Sequence, residues 1–168
     1  ELENILGDVL PRSILAEGFT FQNTRIPLVS PQGIFKPRLM EIPLSSTTTP
    51  DGPYDDSFDN DGLLIYRYRG TDIHHRDNVG LRNAMLKKLP LVYFHGIIRG
   101  RYLSVYPVYI VEDNPIKLSF KIAVDDYKSI NSDTDVFSVE DSNIGRRLYL
   151  TRSIKQRLHQ RGFREKVL

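Results

Sequence analysis

The chain has 168 residues, 40% hydrophobic and 26% charged, with a net charge of +2. That is enough for one domain with a real core and hardly enough for two, and no apolar run approaches the roughly 20 residues of a membrane-spanning helix. The lack of cysteine excludes disulfides and thiolate metal sites within these residues and fits a cytoplasmic setting. The opening "ELENILGDVL" has neither the basic start nor the apolar block of a signal peptide. It also lacks an initiator Met, so a piece of a longer chain is expected. The modest net charge hides an asymmetry. From Gly145 to Leu168 there are eight basic residues and one acid, Glu165, while the remainder has 15 basic against 20 acidic residues. A basic end on an acidic chain points to a polyanionic partner, or to a solvated helix leading into a further segment.

In chain order, residues 1–18 read as partly helical, with Ile5, Val9 and Leu10 at helical spacing and Pro11 interrupting them. From Phe19 to Pro50, prolines at 27, 31, 37, 43 and 50 forbid long helices, so short strands joined by loops are expected. "TTTPDGPYDD" reads as a turn. "LLIYRYR" (Leu63–Arg69) has the β-branched and aromatic content of a strand. "DNVGLRNAMLKKLP" predicts the internal helix, capped by Asp77 or Asn78 and ended by Pro90. "LVYFHGII" and "RYLSVYPVYIV" predict a hairpin around Arg99-Gly100. "IKLSFKIAV" (Ile116–Val124) predicts a further strand, with Leu118, Phe120 and Ile122 alternating against Ser119, Lys121 and Ala123. Thr151–Leu168 reads as a basic amphipathic helix, with Leu150, Ile154 and Leu158 spaced by four. The expected class is α+β, mainly β, with a helix after the third or fourth strand and a barrel or strongly bent sheet in preference to a doubly wound fold.

Three groups of residues carry possible chemistry. Asp51, Asp55, Asp56, Asp59 and Asp61 form an acidic loop, but it lacks the Gly and Glu positions of an EF-hand and also reads as a solvated turn. His74 and His75 are adjacent and project to different sides, so they imply no shared metal. His95 sits in a strand just before a Gly, placed to reach a phosphate or base edge or to satisfy a buried polar group. The tyrosines are the third group. In a β protein most belong to the core. Yet Tyr54 lies beside the acidic loop and Tyr66 on the next strand, and two facing rings with a carboxylate at the rim suit a flat base whose exocyclic amine donates a hydrogen bond. Stacking plus contacts at the Watson–Crick edge is what a flipped-base pocket needs.

The order of these features resembles the SRA (SET and RING-associated) family, PUA-like twisted β-barrels that read modified cytosine in DNA. The resemblance covers roughly Gly18 to Val111. It rests on "GFTFQNTRIPLVSPQGIFKP", "LSSTTTPDGPYDD", "LLIYRYRG", "DNVGLRNAM", "LPLVYFHG" and "GRYLSVYPVYIV", each similar to a family segment in the same order. It implies a base stacked between Tyr54 and Tyr66, with an acid just after Tyr54 reading its edge. Counting without gaps puts Ser57 at the place of the base-reading Asp; a shift of one residue puts Asp56 there. Arg67 stands where the family has a small residue. The loop that invades the duplex in eukaryotic members has no room in Thr71–Asn78, which leaves the Gly33–Met40 loop to fill the gap of a flipped base. The end, "YLTRSIKQRLHQRGFREKVL", resembles the linker before an HNH nuclease domain of bacterial restriction endonucleases.

The resulting expectation is an SRA-like recognition domain over 1–145 and a basic helical linker over 146–168, leading to an HNH nuclease domain outside this chain. The domain is the specificity half of a modification-dependent restriction enzyme. The base pocket is Tyr54, Asp56, Ser57, Tyr66, Arg67 and Tyr68; the contacts to DNA backbone and groove are Lys36, Arg38, His95, Arg99 and Arg101. The partner is double-stranded DNA with a modified cytosine, not a membrane, and a homodimer would form through the full-length protein. No catalytic residue, metal ligand or cofactor is assigned within these residues, and a divalent metal belongs to the absent nuclease domain. Two alternatives stay open: a metal-dependent hydrolase built on the Asp51–Asp61 loop with His74 and His75, and a PUA-like module for RNA or protein.

Overall fold

The computed structural model describes residues 9–49, 57–126 and 136–167. The chain enters on a short strand, β1 (Val9–Pro11), and turns directly into α1 (Arg12–Glu17). Pro11 therefore starts a helix and does not interrupt one. It sits at the N-cap, where its missing N–H costs nothing. A small two-stranded ribbon follows, β2 (Phe19–Phe21) and β3 (Thr24–Ile26), then β4 (Ile34–Phe35) and β5 (Ser45–Thr48). The proline-rich text thus yields short strands and ordered loops, as expected. After the acidic loop come β6 (Ser57–Phe58), β7 (Leu64–Arg67) and α2 (Arg76–Leu86). The long hairpin of β8 (Leu91–Ile98) and β9 (Arg101–Asn114), then β10 (Ser119–Val124) and α3 (Val136–Val167), complete the chain.

The main sheet runs β4-β5-β8-β9-β10-β7-β6, and β1 joins the first residues of β9. Every pairing is antiparallel except β5 with β8. β9 is the spine. Its first half pairs with β8 and its second half with β10, with register irregularities in both ladders. Such bulges bend a strand. The result is visible in one contact. Tyr66 on β7 reaches Thr47 on β5, although β8, β9 and β10 separate those strands along the ladder. The sheet therefore curls on itself into a half-barrel, the strongly bent, mainly β architecture expected from the sequence.

β8 is apolar on both faces, with His95 as its polar interruption, because both faces are covered. Leu91, Tyr93 and Ile97 join the main core with Tyr66, Tyr68, Leu81, Val108 and Phe120. Val92 and Phe94 join a second cluster with Leu15, Leu28, Val29 and Tyr102. β10 is covered on both sides too. Ser119 and Ala123 are buried along with Phe120 and Ile122, so the expected alternation of polar and apolar faces is lost, and Ile116 is exposed in the turn before the strand.

Two further expectations are corrected. α2 follows the seventh strand, not the third or fourth, because the Pro-rich region contributes more short strands than its text reveals. Its cap is His75, whose Nδ1 accepts the Asp77 N–H at 3.2 Å. Asn78 instead points inward. Its Oδ1 accepts the Arg69 N–H, and its Nδ2 donates to the carbonyls of Arg69 and Asp72, pinning the loop before α2. α3 is also longer than expected, 32 residues, and runs without a break through position 145. It is seated on the barrel at three levels. Arg146 and Arg147 grip Asp125 at the end of β10. Thr151 Oγ1 accepts the Val124 N–H at 2.9 Å. Ile154 and Leu158 pack into the main core.

Candidate nucleic-acid interface

The sequence places the Tyr54 loop directly after β5, so the end of β5 is where a pocket has to be sought. There the strand is "SSTT", four hydroxyl side chains in succession. Ser45 Oγ donates to the Leu28 carbonyl at 2.5 Å. Thr48 Oγ1 meets the Tyr93 hydroxyl at 3.1 Å, and that hydroxyl meets His95 Nδ1 at 2.8 Å. Tyr66 donates a long hydrogen bond, 3.4 Å, to the Thr47 carbonyl. Gly33, with φ +65°, lies against the same Thr47 carbonyl and Tyr66 hydroxyl, and an added Cβ would approach them at 3.5 and 3.8 Å. Ser46 Oγ and Thr47 Oγ1 are buried with no hydrogen-bond partner among the described residues. Buried hydroxyls normally find one. With the two-residue period of a strand, Ser46 shares the face of Thr48, which meets Tyr93, while Thr47 shares the opposite face with Ser45, so Ser46 is the one that leaves unused hydrogen-bonding capacity on the tyrosine side.

His95 is partly buried here. Burial, and then the repulsion of His159 on α3, lower its pKa from 6.5 to about 4, so it is neutral at pH 7 and serves Tyr93 through one ring nitrogen. Tyr68, two residues after Tyr66 and just past the end of β7, is inward as well but differently occupied. Its ring packs on Phe120 at 4.6 Å, and its hydroxyl is held between Asp113 and Arg82. Arg82 Nε donates to Asp113 at 2.5 Å. Burial and the hydrogen bond to Asp113 raise the Tyr68 pKa, so the phenol stays protonated.

Of the residues singled out from the sequence, Ile5, Asp51, Tyr54, Asp55 and Asp56 lie outside the described residues. Ser57 opens β6, paired with Ile65. Tyr66 on β7 and Tyr68 just after it both point inward, while Arg67, between them, is exposed on the outer face. The residues expected to contact DNA backbone divide between two places. Lys36 and Arg38 are exposed in the loop after β4, at the level where Ser45 pairs with Val92, and Lys36 Nζ donates to the Met40 carbonyl. Arg99 and Arg101 are exposed at the β8–β9 turn, at the other end of β8, beyond His95. Only the second pair shares the end of the sheet where the Tyr54 loop begins.

The structure adds residues that sequence reasoning missed. Arg69 and Arg76 both donate to Gln32 Oε1, at 3.0 and 3.4 Å, which ties the loop before Gly33 to the end of β7. Asp77 pairs with Arg69 at 2.7 Å. Arg69 was legible as the next outward position after Arg67; its partner Gln32 lies 37 residues away and was not. A cleft of about 500 Å³ between β9 and the start of α3 is lined by Met85, Tyr109, Val111, Ile144 and Leu148 among others, and none of the tyrosines assigned to the base site lines it. Among the described residues no His, Asp or Glu group is arranged to hold a metal. The acid-x-Lys order used by some nucleases occurs at Asp126-Tyr127-Lys128; Asp126 is exposed, and Lys128 lies outside the described residues.

No family model matches the chain, and a comparison with curated proteins gave no match. Among solved structures the chain is similar to the SRA domain of SUVH5. The complex with methylated CHH DNA is 24% identical with a TM-score of 0.42, over 56% of this chain and 74% of that one. The complex with hemimethylated CG DNA is 26% identical with a TM-score of 0.42, over 56% and 71%. At these TM-scores the likeness assigns no ligand to this chain; that assignment has to come from its own residues.

Proposed function

We propose that this chain is a DNA-binding module that recognises a modified cytosine by taking it out of the duplex. In this reading it is the specificity half of a modification-dependent restriction endonuclease, in a cytoplasmic setting. The observation that carries the reading is the end of the half-barrel at β5. A buried tyrosine, a glycine turn and a buried hydroxyl without a partner, Ser46 Oγ, lie there, directly before the loop that holds Tyr54 and Asp56. A flipped base needs stacking surfaces and hydrogen bonds at its edge. Tyr54 and Tyr66 supply the first, and Asp56 or Ser57 with the Ser46 hydroxyl the second. Extrusion costs a few kcal/mol, and stacking at about 1–3 kcal/mol per base offsets it.

The test is competition binding at about 0.15 M salt, with duplexes carrying cytosine, 5-methylcytosine or 5-hydroxymethylcytosine at one site and an RNA duplex as a fourth competitor. One modified DNA should bind at least about tenfold more tightly than the unmodified one, and Tyr54→Ala should abolish the difference. Tyr66 is only 6% exposed, so Tyr66→Phe, which keeps the ring, is the informative variant there and should keep the preference. Equal binding of all three DNAs would sink the base-reading mechanism, and preferential binding of RNA would favour the PUA-like alternative.

A further inference from the structure

α3 has a property that the base-reading site does not use. From Asn143 to Arg164 it contains seven basic residues and no acid. Two of them, Arg146 and Arg147, are spent on Asp125. The seating of Ile154 and Leu158 in the core fixes how the helix is rotated, because side chains three and four apart share a face. Two flanks border that buried face. One holds Arg157, Arg161 and Arg164. The other holds Arg152, Lys155 and His159.

The second flank is the one that meets the barrel beside the candidate site. Arg152 lies across the β6–β7 turn, where a Cβ at Gly62 would be 3.0 Å from its Nε. Lys155 Nζ stands 5.4 Å from the Phe58 ring centre. His159 is close enough to His95 for its charge to act on that residue. The flank thus runs from the hairpin that follows the Tyr54 loop to the strand that carries His95. The acids of that turn do not neutralise it. Asp59 and Asp61 bind Lys121 instead, at 3.0 and 3.4 Å.

We propose that this flank of α3 is a second nucleic-acid contact, in which Arg152 and Lys155 take phosphates of the duplex whose base enters the tyrosine-lined site. The inference rests on the DNA-binding reading above. It adds a division of labour: the barrel selects the base, and the helix supplies a sequence-independent part of the affinity. Phosphate contacts of this kind release counterions, so each one steepens the dependence of binding on salt by about 0.9 in log–log slope.

The experiment is salt titration of binding to one duplex with the whole chain, comparing two double variants. Arg152→Gln/Lys155→Gln should lower the slope by about 2 and weaken binding to modified and unmodified DNA by the same factor. Arg157→Gln/Arg164→Gln removes as much charge from the opposite flank and should change the slope by well under 1. Far-UV circular dichroism checks that both variants keep α3. An unchanged slope in the first variant, or an equal loss in both, overturns the assignment, the latter because the helix then acts only as diffuse charge. A wild-type chain that shows no preference for a modified base, yet loses slope only in the first variant, would refute the base-reading function and leave this contact standing.

Discussion

Replacing Asp125 by Asn should loosen α3 from the barrel. The carboxylate has no solvent exposure and accepts from Arg146 Nε at 2.6 Å, Arg146 Nη2 at 3.2 Å, Arg147 Nε at 2.7 Å and the Asp126 N–H at 2.7 Å. Burial works against its charge, but the hydrogen bonds from the two arginines outweigh it and hold the pKa below the ordinary carboxylate value. Asn keeps the shape and one acceptor but loses the charge. Breaking a fully buried pair costs about 3–5 kcal/mol. The two guanidiniums are 36% and 25% exposed and regain water when released, so about 2–3 kcal/mol is expected here. For a chain of this size that is a fall in Tm of about 5–10 °C. Urea unfolding followed by circular dichroism measures it, and the variant should also weaken DNA binding through the displaced α3. A loss below about 0.5 kcal/mol with DNA affinity intact would refute the view that this cluster seats the helix.

Two other outcomes follow from the same geometry. Because the pKa of His95 is lowered to about 4, its neutral form is favoured in the fold. Its contribution is complete above the unfolded value of about 6.5 and is lost as pH falls towards 4. Between pH 7 and pH 5 that amounts to about 2 kcal/mol of stability, and His95→Gln should flatten this part of the stability–pH curve; an unchanged curve would show that His95 is solvated. Asn78→Ala should cost about 3 kcal/mol, since it strands the Arg69 N–H and the carbonyls of Arg69 and Asp72. Thermal unfolding checks this, and a cost under 1 kcal/mol would mean that water replaces the side chain.

Much of this architecture was written in local signals. The Arg99-Gly100 hairpin is drawn by two apolar runs around a turn, and Gly100 adopts φ +78° as that turn requires. α2 follows from its periodicity, but it ends at Leu86, capped by Lys87 with Lys88 at φ +54°, ahead of the Pro90 expected to stop it. Tyr66 and Tyr68 share a face because a strand has period two. Other features depend on partners far away in sequence. His75 caps α2 in place of Asp77 or Asn78 because Asn78 is drawn inward by the loop after β7. Arg69 and Arg76 meet over Gln32, and no local pattern announces that residue. Lys36 and Arg38 look like companions of Arg99 and Arg101 in a list of cations, but the register of β4, β5 and β8 sets the two pairs at opposite ends.

By itself, then, the sequence determined the β-rich class, the β8–β9 turn, the existence of an internal and a terminal helix, and the concentration of positive charge at its end, all consequences of backbone preference and composition over short stretches. Tertiary structure decided which hydroxyls go without partners, which histidine is neutral, and which flank of α3 borders the β6–β7 hairpin. Those outcomes depend on how far β9 bends and where Asp125 holds the helix, and such long-range packing is encoded in no single segment.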